Sequence, residues 1–202
     1  MPLDLLAALI GFAAAMAWTP GPNNLMLMTS GVNFGFARTL PHMAGISIGF
    51  PLMIVIVGLG IAQLFTAMPE LYTVLKVLSV LYMLWLAWHI ANAGPMSKET
   101  IAESQPMRFH EAVLFQWVNP KAWAMCLTAI SAYTVPAHFA ASMVVVTLVF
   151  VLVNLPTVSL WTLFGVTLRG LLADARRVRL FNAAMALALV ASLWPVLAEY
   201  AR

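Results

Sequence analysis

LLAALIGFAAAMAWTPGPNNLMLMTSGVNFGFA occupies residues 5–37 and contains no charged side chain. A helix needs about 20 apolar residues to cross a bilayer, so this stretch is long enough to span one. Further stretches without Asp, Glu, Lys or Arg occupy residues 39–69, 77–97, 122–168 and 180–198. Hydrophobic residues make up 63% of the chain and charged residues 8%, whereas a soluble domain carries about 25% charged residues. The sequence therefore predicts an all-α integral membrane protein.

The charge-free stretches divide into six transmembrane helices. The stretch at 122–168 is too long for one span, and we divide it at Pro136, where a turn is expected. The predicted helices cover residues 5–28, 43–66, 71–92, 110–134, 140–167 and 180–199. They use nearly the whole chain, which predicts a single transmembrane domain over residues 1–202.

Basic side chains predict the orientation of these helices. They concentrate in the first, third and fifth loops, at Arg38, Lys98, Arg108, Arg169, Arg176, Arg177 and Arg179. Loops rich in Lys and Arg stay on the cytoplasmic side, so both termini are predicted to be extracytoplasmic. The net charge of +3 reflects these basic residues in the loops and does not indicate a nucleic acid partner. Asp4 stands where a signal peptide would carry basic residues, so we expect the first helix to be retained.

Two of the predicted helices contain sequences that break a helix. Residues 19–24 of helix one read Thr-Pro-Gly-Pro-Asn-Asn, and residues 117–121 of helix four read Trp-Val-Asn-Pro-Lys. Proline lacks a backbone donor and clashes with the preceding turn. Helices one and four are therefore predicted to be broken within the membrane.

The breaks recur at matching places in two halves of the chain. Helices two and five also correspond, because each contains a proline, Pro51 and Pro156. Each half has three helices, an odd number, so residues 1–95 and 107–202 are predicted to form two inverted repeats. Matching interruptions in inverted halves indicate a transporter's binding site. The N-terminus of a half-helix attracts anions, and an amino acid carboxylate meets that requirement.

The motifs at these breaks resemble the LysE/RhtB family of amino acid exporters. Residues 20–24 and 33–36 are similar to the start of that family, residues 115–123 to its second signature, and Lys76, Tyr82 and Trp88 to its third helix. The resemblance implies export of an amino acid or a close derivative across a bacterial inner membrane, driven by the proton motive force. Many members have Asp where this chain has Asn23, so one candidate cation or proton site is missing.

The predicted substrate-binding residues flank both breaks: Pro20, Gly21, Pro22, Asn23, Asn24, Asn119, Pro120 and Lys121. Buried amides need hydrogen-bond partners, so the three asparagines either join the broken helices, contact the substrate, or do both. A charge at membrane depth is costly and usually functional. Lys121 is expected to line the pathway, holding a carboxylate or neutralising the carbonyl groups at the end of a half-helix.

Other polar residues have structural interpretations. Glu111 is expected to stabilise the first turn of helix four. His42 and His89 lie at predicted span ends and are expected at the interface, and Lys76 is expected to reach the interface as well. Asn154 is expected to be a satisfied side chain beside a kink at Pro156. Gly45 and Gly49 predict a close helix contact inside the protein.

Several classes of function are disfavoured. The sequence has no metal-ligand cluster, no nucleophile–base pair and no phosphate-binding loop, so we expect neither an enzyme nor a cofactor. The single cysteine, Cys126, excludes a redox pair. Transport of another solute or ion and a role in membrane assembly remain alternatives. The expected partners are the lipid bilayer, an amino acid-like substrate and protons. The oligomeric state stays open, a homodimer included.

Overall fold

The structure is a computed structural model that describes residues 1–61, 67–92, 105–170 and 174–194. These residues are largely helical, and no strand occurs among them. The α-helices within the described ranges are α1 Leu3–Trp18, α2 Pro22–Phe34, α3 Phe36–Ile56, α4 Pro69–Asn92, α5 Phe109–Phe115, α6 Pro120–Tyr133, α7 Phe139–Arg169 and α8 Ala175–Ala191. This order confirms the predicted all-α class.

Three helical segments of the described part are long and apolar enough to cross a membrane: Phe36–Gly60, Thr73–Asn92 and Pro136–Arg169. A fourth span results if α1 and α2, which meet at a bend of 49°, are taken together. The helix α6 has 14 residues and α8 has 17, which is short for a span of about 20 residues. The arrangement of six spans in two inverted repeats stays a prediction.

The connection between predicted helices one and two is much shorter than expected. The structure is helical over most of residues 29–42, which the prediction left between the two spans. The helices α2 and α3 are separated by Gly35 alone, whose φ of 79° lies in the left-handed region that favours glycine. Two polar residues of this segment, Ser30 and Thr39, bond to each other. The buried hydroxyl groups of Ser30 and Thr39 are 2.9 Å apart.

The boundaries of two other helices also differ from the prediction. Helix two was expected to reach residue 66, but α3 ends at Ile56 and a wide helical turn follows over Val57–Ile61. Gly60 has a φ of 143° in this turn, and residues 62–66 lie outside the described part. Helix six was expected to begin at 180, but α8 begins at Ala175 because Asp174 caps it. Its predicted residues 195–199 lie outside the described part.

The helices α2 and α7 cross at very short distance because each presents a glycine to the other. A β-carbon added at Gly31 would collide with the carbonyl oxygen of Thr162, and one added at Gly165 would collide with the carbonyl oxygen of Met28. Small residues let the backbones of membrane helices approach closely. The contact holds the first half of the chain against the second.

A similar contact joins α3 to α5. A β-carbon at Gly45 would lie 2.5 Å from the carbonyl oxygen of Phe109, and one at Gly49 would lie 2.8 Å from the α-carbon of Val113. The predicted use of Gly45 and Gly49 for packing inside the protein is confirmed. The helices α3 and α7 meanwhile remain helical through Pro51 and Pro156.

The outward faces of the helices carry large apolar side chains. Leu152, Leu187 and Trp194 each expose about 70% of their surface. A water-soluble protein does not normally expose such contiguous apolar area, whereas a lipid-facing surface requires it. The interior contains an aromatic pair, Phe50 and Phe150, whose rings meet edge to face at 5.3 Å.

We expect Gly31→Leu to destabilise the folded protein, because the side chain would push α2 away from α7. Overpacking of this kind costs about 1–3 kcal/mol. Thermal unfolding in detergent should show a lower midpoint than the wild type. Gly11→Leu is the matched control, since no atom lies within 4 Å of a β-carbon at Gly11. Equal midpoints for the two variants would contradict the role assigned to the α2–α7 crossing.

Candidate functional site

The first helix break occurs between Trp18 and Pro22. The helix α1 ends at Trp18, Gly21 is extended, and Pro22 is the first residue of α2. Pro20 has no N–H to continue the hydrogen bonds of α1, and Pro22 suits the first helical position because no donor is needed there. Carbonyl groups at the end of α1 and N–H groups at the start of α2 are therefore both left open in one place.

Asn24 satisfies part of the open end of α1. Its side-chain nitrogen donates to the carbonyl oxygen of Ala17 at 2.7 Å and to that of Thr19 at 2.9 Å. The side chain is 7% exposed, so these hydrogen bonds are shielded from solvent. Asn24 thereby folds the start of α2 back onto the end of α1, which fixes the bend between them.

Lys121 reaches the same end of α1 from the other half of the chain. Its ammonium group donates to the carbonyl oxygen of Thr19 at 2.7 Å, to the hydroxyl of Thr19 at 2.8 Å and to the carbonyl oxygen of Pro20 at 3.4 Å. The stem of Lys121 passes Gly21 so closely that a β-carbon there would lie 2.6 Å from its δ-carbon. The positive charge offsets the partial negative charge at the helix C-terminus.

The second break separates α5 from α6. A turn of 3-10 helix covers Gln116–Val118, and Pro120 is the first residue of α6. The side-chain oxygen of Asn119 caps α6 by accepting the backbone N–H of Lys121 at 3.1 Å. Asn119 is 2% exposed, so this cap is buried. A local hydrogen bond stabilises the second break, as the hydrogen bonds of Asn24 stabilise the first.

An amide pair joins the two breaks directly. The side-chain nitrogen of Asn23 donates to the side-chain oxygen of Gln116 at 2.9 Å, and the nitrogen of Gln116 donates back at 3.2 Å. Gln116 is fully buried and also donates to the carbonyl oxygen of Ala112 at 2.9 Å. Both amides therefore have partners in an environment where an unpaired one would be costly.

A cavity of about 40 Å³ lies where the two breaks meet. We call it the central cavity. Its lining residues are Met16, Ala17, Gly21, Asn23, Asn24, Ile46, Phe50, Asn119, Lys121, Ala122, Met125, Phe150 and Asn154. Among these residues Lys121 carries the charge, and the other polar groups are neutral amides. Small-molecule sites combine apolar walls with a few polar groups in this way.

Five of the eight predicted site residues line the central cavity: Gly21, Asn23, Asn24, Asn119 and Lys121. The three prolines of the motifs are outside its lining. Asn23 and Asn24 join separate helical segments, as one interpretation of the sequence expected, whereas the side chain of Asn119 caps α6. Their contact with a substrate stays a prediction.

Sequence reasoning missed Gln116, which is outside the lining of the cavity, and two aromatic residues that line it, Phe50 and Phe150. Gln116 pairs with Asn23. In the sequence it is one polar residue inside an apolar predicted helix, and nothing local indicates a partner. Phe50 and Phe150 form a wall of the cavity and could not be distinguished from core residues by type. Asn154 lines the cavity, and its nitrogen lies 3.5 Å from the carbonyl oxygen of Ile46. The sequence favoured a satisfied side chain beside a kink at Pro156 over a ligand site for Asn154.

Two further predictions concern residues away from the cavity. Glu111 accepts a hydrogen bond from the backbone N–H of Arg108 at 2.8 Å, which confirms its place in the first turn of a helix. The side chain of His42, which was expected at the membrane interface, is 1% exposed and lies within α3. Its depth in the membrane stays a prediction. Within the described residues, no group of three His, Cys, Asp or Glu side chains could hold a metal ion.

The apolar surface and the broken helices around a partly polar cavity define a class, the multi-pass membrane transporters. The chain belongs to the LysE family, because the family model for LysE type translocators matches residues 14–192. It is therefore a transporter and not an enzyme.

Curated relatives include the cysteine/O-acetylserine efflux proteins of Escherichia coli strain K12 and of Shigella sonnei strain Ss046. Each is 33% identical to this chain over 146 residues, which cover 72% of this chain and 73% of the relative. No solved structure is significantly similar.

We expect the Asn23–Gln116 pair to contribute coupling energy to the fold. Asn23→Leu leaves the side-chain oxygen of buried Gln116 without its partner, and Gln116→Leu does the same to the half-buried amide of Asn23; such a loss costs about 1–3 kcal/mol. The double variant should therefore lose less stability than the sum of the two single variants. Thermal unfolding of the four proteins in detergent measures this difference. Asn92→Leu, which removes an exposed side chain bonded within its own helix, should have little effect. Additive losses at Asn23 and Gln116 would argue against the pair.

Proposed function

We propose that this protein exports a small amino acid across a bacterial inner membrane and that the central cavity is its binding site. The observation that carries the proposal is the meeting of two broken helices, one from each half of the chain, around one cavity. Secondary transporters build their sites from interrupted helices in this way. Irregular backbone at membrane depth is tolerated where it is buried in protein or lines a cavity.

The carboxylate of the substrate would bind near Lys121. The start of α2 supplies backbone N–H groups without helical partners, and the same is true of α6. The positive ends of both helices therefore favour an anion. The ammonium group of Lys121 has three donors and now uses them on the end of α1. A carboxylate could compete for one of them.

The substrate would have an uncharged side chain. The lining of the central cavity contains amides and apolar groups but no carboxylate, so nothing there would neutralise a lysine or arginine substrate. Burying an unpaired charge is strongly unfavourable. The relatives described above are named for efflux of cysteine and O-acetylserine, which are small neutral amino acids. We propose a substrate of this class.

The transporter would consist of one domain over residues 1–202, with six spans in two inverted repeats over 1–95 and 107–202. The packing of the described helices supports this arrangement, since α1 packs against α7 of the other half and α5 packs against α3. The proposed symmetry would relate the α1–α7 contact to the α5–α3 contact, because predicted helix one corresponds to helix four and helix two to helix five. Movement of one repeat against the other would open the central cavity to each side in turn. Exchange with protons would drive export against a concentration gradient.

The test of the function is release of amino acids from loaded bacterial cells. Cells are fed dipeptides to raise their internal pools, and the medium is analysed for all amino acids. We expect the protein to accelerate release of cysteine or O-acetylserine but not of lysine or arginine, and a protonophore to abolish the gain. No acceleration for any amino acid, with the protein detected in the membrane, would contradict amino acid export.

We expect Lys121→Met to reduce this release at least about tenfold, because the substrate carboxylate would lose its cationic partner. A loss of this size corresponds to about 1.4 kcal/mol. Arg179→Met is the matched control, since this exposed cation lies at the start of α8 away from the cavity. Lys121→Arg preserves the charge and should preserve part of the activity. Membrane levels of each variant separate lost transport from lost protein, and full activity of Lys121→Met would refute the assignment.

The proposed orientation places the arginine-rich helix ends in the cytoplasm. His110 and His138 are both exposed and lie on either side of the α5–α6 segment. After Cys126→Ala, we introduce His110→Cys or His138→Cys and treat intact cells with an impermeant maleimide. We expect labelling of His138→Cys from outside and labelling of His110→Cys only after permeabilisation. The reverse pattern would invert the orientation.

A further inference from the structure

A second cavity lies between the C-terminal part of α2, the start of α3, the end of α4 and the segment before α5. It has a volume of about 130 Å³ and is lined by residues that include Thr29, Ser30, Asn33, His42, Ile90 and Met107. We call it the His42 cavity. None of its lining residues belongs to the central cavity.

His42 is the unusual member of this lining. Its side chain is 1% exposed, and neither ring nitrogen has a hydrogen-bond partner among the described residues. A neutral imidazole has one donor and one acceptor, and most buried polar atoms are paired. The neighbouring hydroxyl groups are already engaged, since Thr29 donates to the carbonyl oxygen of Leu25 and Ser30 bonds to Thr39. The described residues therefore leave both ring nitrogens without a hydrogen-bond partner.

Among the described residues, no carboxylate lines the His42 cavity. No ionisable residue occurs in α2. In the described part of the chain, the ionisable side chains near this end of the surrounding helices include Arg38 on α3, His89 on α4, Arg108, His110 and Glu111 around the start of α5, and Arg169 on α7. None of them is among the lining residues, and cations outnumber the carboxylate. A proton on the ring would therefore have no carboxylate partner among the residues that line the cavity.

The His42 cavity lies next to the central cavity along two helices. On α3, His42 is one turn before Ile46, which lines the central cavity, and the rise over four residues is about 6 Å. On α2, Met26 lines the His42 cavity and Asn23, three residues earlier, lines the central one. A charge on His42 would therefore act on the helices that surround the substrate.

We propose that His42 is the proton-binding residue of the transport cycle and that the His42 cavity is its access route. A ring nitrogen binds the proton that enters in exchange for one substrate molecule and releases it unchanged on the cytoplasmic side. No other bond forms or breaks. The proposal rests on the proposed function, in which proton exchange drives export.

The test uses the purified full-length protein in liposomes with radiolabelled cysteine kept reduced. One assay measures cysteine uptake driven by an acidic interior, together with proton movement reported by a trapped pH dye. A second assay measures exchange of cysteine for cysteine without a pH gradient. The variant is His42→Gln, which keeps a polar side chain but cannot take up a proton near neutral pH. His138→Gln, at an exposed turn at the opposite end of the helices, is the control.

We expect His42→Gln to lose gradient-driven uptake and proton movement at least about tenfold and to keep cysteine exchange within about twofold. His138→Gln should keep all three. Gradient-driven uptake that persists in His42→Gln would overturn the proposal, as would equal loss of uptake and exchange in a folded protein. If the wild type exchanges cysteine but does not respond to the gradient, proton coupling itself fails, whereas no exchange in the wild type rejects cysteine as substrate.

A second measurement is independent of substrate and of the His42→Gln variant. Replacing His89, His110 and His138 by glutamine leaves His42 as the one histidine, and ¹⁵N-labelled histidine then reports its protonation by NMR. We expect the ¹⁵N chemical shifts of the His42 ring to change as the bulk pH is varied. A ring that stays neutral across the pH range in which the protein is folded would overturn the proposal.

Discussion

The ammonium group of Lys121 lies against the open end of α1, and this contact connects the two halves of the site. A helix that ends inside a membrane leaves carbonyl groups without water to bond them. Lys121 supplies three hydrogen bonds at that point, to Thr19 and Pro20, from a helix in the other half of the chain. The breaks are thus stable because each half supports the other. The same contact brings a positive charge to the wall of the central cavity.

Close helix packing keeps these groups in register. The glycine contacts between α2 and α7 and between α3 and α5 bring backbones together where any side chain would separate them. Hydrophobic driving force between helices is weak in lipid, so shape and hydrogen bonds determine which helices associate. A small rotation at these crossings would change the distance between the two breaks. The packing that stabilises the fold is therefore well placed to control the cavity.

The two cavities along α2 and α3 differ in chemistry. The central cavity contains a cation and several amides, which suits a molecule with a carboxylate. The His42 cavity contains a titratable ring without partners among the described residues, and the carboxylate of Glu111 is outside its lining. Separate sites for substrate and proton would let the two exchange without competing for one group. The absence of Asp at position 23 agrees with a proton site elsewhere in the chain.

The sequence alone determined the membrane class, the positions of both helix breaks and the residues around them, because these depend on local composition and on proline geometry. It also placed Gly45 and Gly49 in an internal contact. Tertiary structure decided what the polar residues bond to. Ser30, Thr39 and His42 fell between two predicted helices, yet they lie inside helices. Gln116 is the hydrogen-bond partner of Asn23. The pairing of Asn23 with Gln116 depends on the distance between segments about 90 residues apart in the chain, which no local pattern contains. Buried polar groups need partners, and here only the folded chain brings the partner near.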